Sequence, residues 1–186
     1  MQIYAIADLH LSLTSEKPMD VFGEAWRGHA EKLERNWRER VQEDDLVLIP
    51  GDISWAMQLS AALPDLSFIG NLPGKKILLK GNHDYWWSAI GRVRSLLPAG
   101  MRAIQNDAIV EDNIGICGTR GWLCPGSNNF SAEDQKIYLR ELDRLSLSLR
   151  ALHLALTYFA KIFAFADVVQ FTFRALMQCH NFSPCL

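Results

Sequence analysis

Five side chains able to hold a metal ion or move a proton sit in three short pieces of this chain: Asp8 and His10 in Asp8-Leu9-His10, Asp52 in Gly51-Asp52, and Asn82 and His83 in Gly81-Asn82-His83-Asp84. Two carboxylates, a carboxamide and two imidazoles suit a catalytic divalent cation better than a structural one, because hard oxygen donors are mixed with borderline nitrogen and no thiolate takes part. Taken singly the pieces are weak signals. A Gly-Asp pair is common as a turn followed by a helix cap. Gly-Asn-His-Asp is sharper, since a turn uses Gly and Asn but has no need of His followed by Asp.

The elements before these pieces make them a set. Each follows a short apolar run that reads as a buried strand: Ile3-Tyr4-Ala5-Ile6-Ala7, Leu46-Val47-Leu48-Ile49-Pro50 and Ile77-Leu78-Leu79-Lys80. The intervals match one strand–helix–strand unit each. All five side chains then fall at the C-terminal ends of successive strands, the edge of an open α/β sheet where ligands bind.

At these residues the chain resembles the N-terminal two-thirds of a calcineurin-like metallophosphoesterase, in the bacterial branch whose second motif reads Gly-Asp-Ile-Ser-Trp, here Gly51 to Trp55. Segments 17–23, 72–76, 84–87 and 118–122 are similar to that branch as well, and the likeness runs from Met1 to about Arg150. The resemblance implies an α/β fold, a sandwich of two β-sheets flanked by helices and C-terminally incomplete. It implies hydrolysis of a phosphomonoester or phosphodiester by two divalent metal ions (Mn, Fe, Zn or Mg). On this pattern Asp8 and His10 hold the first metal, Asp52 bridges both and Asn82 holds the second. His83 protonates the leaving group, with Asp84 orienting or charging its imidazole. Trp55 stands where the commoner family form has a second Asp, a change that bears on substrate choice.

Three further family histidines, one in a His-Tyr-Pro-Pro-like segment and two in a Gly-His-x-His loop, have no counterpart. After Arg150 only His153 and His180 remain. His153 reads as a helix-face residue, and Cys179-His180-Asn181-Phe182 is a poor match. The second metal is therefore expected to be poorly held, and the alternative reading is a truncated, catalytically impaired member acting at most as a binding module.

Composition shifts at the same place. Residues 151–186 contain six of the nine Phe, none of the twelve Gly, and only Lys161, Asp167 and Arg174 as charged groups. Two domains of sequence follow: 1–150, the phosphoesterase part, and 151–186, an atypical apolar tail best explained by a reading frame that leaves the family's path near Leu152, with a genuine C-terminal helix as runner-up. Lys161, Asp167 and Gln170 interrupt the apolar stretch 154–173, so no membrane span is expected. The tail could promote self-association.

A net charge of −2 over 186 residues gives no basic footprint for nucleic acid; a phosphate ester as partner is what the family resemblance implies. Cys117, Cys124, Cys179 and Cys185 form no C-x-x-C pair, and the N-terminus begins in a strand with no room for a signal peptide. Free thiols in the cytoplasm are expected.

The pattern further predicts helices over 24–42, 57–69, 86–97 and 132–149, the last with Leu139, Leu142, Leu145 and Leu149 on one face. Short strands near 102–105, 108–111 and 114–118 read as a meander. The Arg35–Asp45 run reads as a solvated face. Tyr85, Trp86 and Trp87 either wall a pocket or cap the core. Arg120 and Trp122 could touch a phosphate, though an Arg–carboxylate pair is the plainer reading.

Overall fold

The computed structural model describes residues 1–14 and 19–155 and the backbone of one further strand, 161–166. Four strands, β1 (Ile3–Ala5), β2 (Leu46–Ile49), β3 (Lys75–Leu78) and β4 (Met101–Ala103), form an all-parallel sheet in the order β1-β2-β3-β4. Of the runs read as buried strands, every residue of β2 is buried and β3 is buried after Lys75, as expected for parallel strands covered on both sides, whereas β1, at the edge of the sheet, is only half-buried.

Sequential order has a consequence. When each parallel crossover has the same hand, all the connecting helices fall on one face of the sheet. Helices α1 (His29–Arg40), α2 (Leu59–Gly70) and α3 (Ile90–Leu96) lie there, packing Trp37, Ala62, Leu66, Ile69 and Val93 against Val47, Ile49 and Leu78. The opposite face, Leu46, Leu48, Ile77 and Leu79, meets Ile114 and Ile116 of a second sheet. In that sheet β5 (Ala108–Glu111) pairs antiparallel with β6 (Ile114–Thr119), and β7 (Lys161–Ala166) runs parallel to β6. Helix α4 (Ala132–Ala155) covers it. The arrangement is the two-sheet sandwich flanked by helices that the sequence implied.

Several boundaries differ, each for a local reason. The first helix begins at His29 rather than 24, because Gly23 (φ 123°) and Gly28 (φ 61°) break the chain into a short 3-10 turn, Glu24–Trp26, before it. The third begins at Ile90 rather than 86. Asp84 holds the Trp86 indole, and its carbonyl takes the Trp87 N–H, so these residues form turns. There is no three-strand meander: β4 joins the first sheet beside β3, and only β5 and β6 form a hairpin.

The Leu139-Leu142-Leu149 face of α4 is exposed, and the helix instead buries Glu141, Ser148 and Leu152. Polar side chains take the packed face because they satisfy backbone groups of the second sheet. The Ser148 hydroxyl donates to the Asp107 carbonyl (2.6 Å) and accepts from the Gly118 N–H (2.9 Å). Asp45, expected at the end of a solvated run, is buried and accepts from the N–H groups of Gln2 (2.6 Å) and Gln42 (2.9 Å).

Helix α4 continues past the expected end at Leu149, and His153 is exposed on it. His180, Cys179 and Cys185 lie outside the described residues. Cys117 and Cys124 are free thiols. Among the described residues no helix is long and apolar enough to cross a membrane.

Replacing Ser148 by Ala leaves the Asp107 carbonyl and the Gly118 N–H unpaired in a buried seam, so Ser148→Ala should cost about 1–3 kcal/mol of stability. Urea unfolding followed by tryptophan fluorescence measures this; a change below about 0.5 kcal/mol would show that water replaces the hydroxyl without loss.

Candidate metal centre

The C-terminal ends of β1, β2 and β3 run into three loops that remain hydrogen-bonded beyond the strands. The N–H groups of Asp8, His10 and Leu11 donate to the carbonyls of Gly51, Asp52 and Ile53 (3.2, 2.9 and 2.9 Å), and Trp55 N–H returns to the Leu11 carbonyl (2.9 Å). The first two loops thus prolong the β1–β2 ladder to the Leu11–Ser54 bridge.

Asp84 ties the second loop to the third. It is fully buried; its Oδ1 accepts from the N–H groups of Ile53 (2.8 Å) and Ser54 (3.2 Å) and from the Trp86 indole (2.8 Å), and its Oδ2 from Gly81 N–H (2.8 Å). Burial pushes its carboxyl above the ordinary range, opposed by those four donors. The partners Asp84 takes are thus backbone and indole N–H groups of the loops, where the sequence suggested the His83 ring. Both its oxygens face inward to the loops, because buried N–H groups must be satisfied.

A second carboxylate acts in the same way. Asp65 on α2 accepts from Leu13 N–H (2.9 Å) and from the Ser54 hydroxyl, and burial raises its pKa against these two bonds. His29 Nε2, at the start of α1, donates to the Leu9 carbonyl (3.2 Å).

These ties bring Asp8, His10 and Asp52 together with one donor atom from each lying within 4.8 Å of the others. His10 Nε2 stands 3.7 Å from Asp8 Oδ1 and 4.0 Å from Asp52 Oδ2. Asp8 is exposed, His10 half-buried and Asp52 buried, so the cluster opens on the Asp8 side. Asp52 Oδ1 accepts from His83 N–H (2.8 Å), which fixes the carboxylate and leaves Oδ2 toward His10.

All three residues adopt left-handed backbone, with φ of 56° at Asp8, 44° at His10 and 51° at Asp52. Asp, Asn and His tolerate that region better than other non-glycine residues, yet three in one cluster store strain that the surrounding hydrogen bonds must hold. Gly81 permits the closest approach: a Cβ there would lie 2.1 Å from Asp52 Oδ1 and 2.2 Å from its backbone N.

Asn82 and His83 occupy the third loop, both half-buried. The His83 ring centroid lies 5.9 Å from that of His10 and 5.3 Å from that of Trp55. Trp55 stacks on His10 at 4.6 Å with 17° between the planes, and its indole N–H points to Met19 Sδ (3.1 Å).

The aromatic run after His83 divides between its two readings. Trp86 and Trp87 are buried in the core, and Tyr85 is exposed beside His83. Arg120 sits over the Trp122 ring (4.7 Å) with a nitrogen 3.7 Å from Glu141 Oε1, the plainer of the two roles expected for it.

Sequence reasoning missed the parts played by Asp65, Gly81, His29 and the Trp55 stack. Asp65 alone left a trace, as a single carboxylate within the apolar run of α2.

The donor set fits a divalent cation: two carboxylates and an imidazole converge from separate loops, and among the described residues no other such group of three is present.

No curated protein matches this chain. Among solved structures, a protein of unknown function from Aquifex aeolicus, AQ665, is similar at 20% identity over 75% of this chain and 70% of its own, with a TM-score of 0.47. The family model for the calcineurin-like phosphoesterases matches residues 1–166, the span from β1 through β7 that builds both sheets and all three site loops. The chain belongs to the calcineurin-like phosphoesterase family.

Proposed function

We propose that the three loops hold a divalent cation for hydrolysis of a phosphomonoester or phosphodiester, with Asp8, His10 and Asp52 as ligands, Asn82 adding its carbonyl oxygen, and His83 as the proton donor to the leaving group. The convergence of the three donor atoms within 4.8 Å carries this reading. A cation bound there supplies Lewis-acid polarisation of a phosphoryl oxygen and lowers the pKa of an attacking water.

The remaining chemistry belongs to the side chains. Asp52 is held by His83 N–H, so the loop bearing the acid also fixes the carboxylate that faces His10. The His83 imidazole can hand a proton to a departing alkoxide. Tyr85 and Trp55 flank it with aromatic surface against which an organic leaving group can rest.

The same observation favours the reading of low activity. Three donors serve one ion well, and a second would draw on little beyond Asp52 and Asn82 among the described residues. Metal content after dialysis against Mn²⁺, together with turnover of an aryl phosphodiester, tests both halves. One ion per chain is expected, lost in Asp52→Asn, with turnover barely above the uncatalysed rate. Two ions with rapid turnover that His83→Ala abolishes would establish a complete dinuclear enzyme instead. No metal binding at all would overturn the reading.

The ties between loops should matter as much as the ligands. Asp84→Asn puts an amide nitrogen against N–H donors, and should cost about 2–4 kcal/mol in urea unfolding and weaken Mn²⁺ binding at least about tenfold. Gly81→Ala should abolish Mn²⁺ binding while leaving the far-ultraviolet dichroism of the sheets. Unchanged affinity in either variant would mean that the loops are placed by other contacts.

A further inference from the structure

A second polar site lies beyond the third loop and shares none of the metal-cluster residues. A cavity of about 130 Å³ opens where the end of β3 meets the end of β6 and helix α4, lined among others by Lys80, Trp87, Thr119, Arg120, Glu141 and Arg144. Three cationic side chains thus face one carboxylate.

That carboxylate is already engaged. Glu141 Oε2 accepts from the Thr119 hydroxyl (2.5 Å), and Oε1 faces Arg144 (2.6 Å) and Arg120 (3.7 Å). Glu141 is buried, with its side chain 3% exposed, and makes no ion pair with Lys80 within 4.0 Å. The half-buried Lys80 ammonium makes one long hydrogen bond, to the Trp87 carbonyl at 3.5 Å, and among the described residues has no carboxylate within 4.0 Å.

A half-buried ammonium with one long hydrogen bond is poorly satisfied, and a recess lined by Lys80, Arg120 and Arg144 raises the local concentration of anions. The space is enough for several water molecules or one small oxyanion. An oxyanion satisfies this lining well, since its oxygens accept charge-assisted bonds from an ammonium and from guanidinium nitrogens at once.

We propose that this cavity is an anion site, taking one phosphate-sized oxyanion on Lys80 and Arg144. It shares no lining residue with the Asp8–His10–Asp52 cluster and stands whether or not that cluster is catalytic. The occupant is either free inorganic phosphate or a phosphate group of a larger molecule, the two sharing one chemistry.

Isothermal titration of the EDTA-treated full chain with inorganic phosphate tests the assignment, because no metal is then present to attract the ion. One phosphate per chain is expected, with affinity at least about tenfold weaker in Lys80→Met and in Arg144→Gln, and unchanged in Asp8→Asn. Arg144 is 40% exposed, so its variant decides the matter should Lys80→Met fail to fold. Phenyl phosphate binding as tightly as inorganic phosphate would identify a group on a larger molecule; binding of inorganic phosphate alone would identify the free ion. No binding, or binding that both cavity variants leave intact, would overturn the proposal.

Discussion

The site depends on one buried carboxylate. Where parallel strands end, their loops carry N–H groups that are still inside the protein and no longer have a ladder to join. Asp84 takes three of these, from Ile53, Ser54 and Gly81, and the Trp86 indole besides. These donors favour its charged form, against burial, the larger effect, which raises its pKa. Because the donors come from two loops, their separation is fixed, and Asp52 meets the His83 N–H at hydrogen-bonding distance. Left-handed backbone at Asp8, His10 and Asp52 costs of order 1–3 kcal/mol each, and persists because these cross-loop bonds leave no relaxed alternative.

The sheet order places this knot where it can be used. Sequential parallel strands send their helices to one face and leave the other for the second sheet, so the C-terminal edge of β1 to β3 is left to loops. Asp65 reaches that edge from the helix side and braces the first two loops through Leu13 and Ser54. On the sheet side, α4 does the corresponding work with polar groups, Ser148 at β5 and β6 and Glu141 at Thr119. The metal cluster and the cationic cavity are therefore neighbours in the fold with different supports.

How much of this was legible follows from range. The strand before each motif was readable because a buried parallel strand is a local apolar run, and β2 has the expected bounds. Asp8, His10 and Asp52 were readable as a set because each follows a strand end, and the structure brings one donor atom of each within 4.8 Å of the others. What escaped depends on distant partners. The Leu stripe of α4 looked like its packed face, yet Ser148 and Glu141 meet backbone and hydroxyl groups that periodicity does not register. Asp84 looked like a partner for the adjacent imidazole, whereas its donors come from a loop about thirty residues upstream as well as from its own. The third helix was set too early because nothing local says that Trp86 and Trp87 are held in turns by Asp84.

His10 shows how a candidate ligand can be placed without a hydrogen bond to its ring. Imidazoles that hold metals commonly have their second nitrogen fixed by a hydrogen bond, which sets tautomer and ring orientation together. Here orientation comes from the Trp55 face, 4.6 Å away and nearly parallel, while Nδ1 is buried without a partner among the described residues. Stacking fixes the plane of the ring and leaves the tautomer open. A cation on Nε2 requires that nitrogen to be bare, and the proton of the neutral ring must then sit on Nδ1, where a buried N–H without an acceptor costs about 1–3 kcal/mol. The tautomer that spares Nδ1 puts its proton on Nε2, facing Asp8 and Asp52 at 3.7 and 4.0 Å, too far for good hydrogen bonds. Neither form is fully satisfied by the protein alone. On the proposed reading, part of the affinity for a cation would be spent on the tautomer, and a binding constant read from ligand types alone would overstate it.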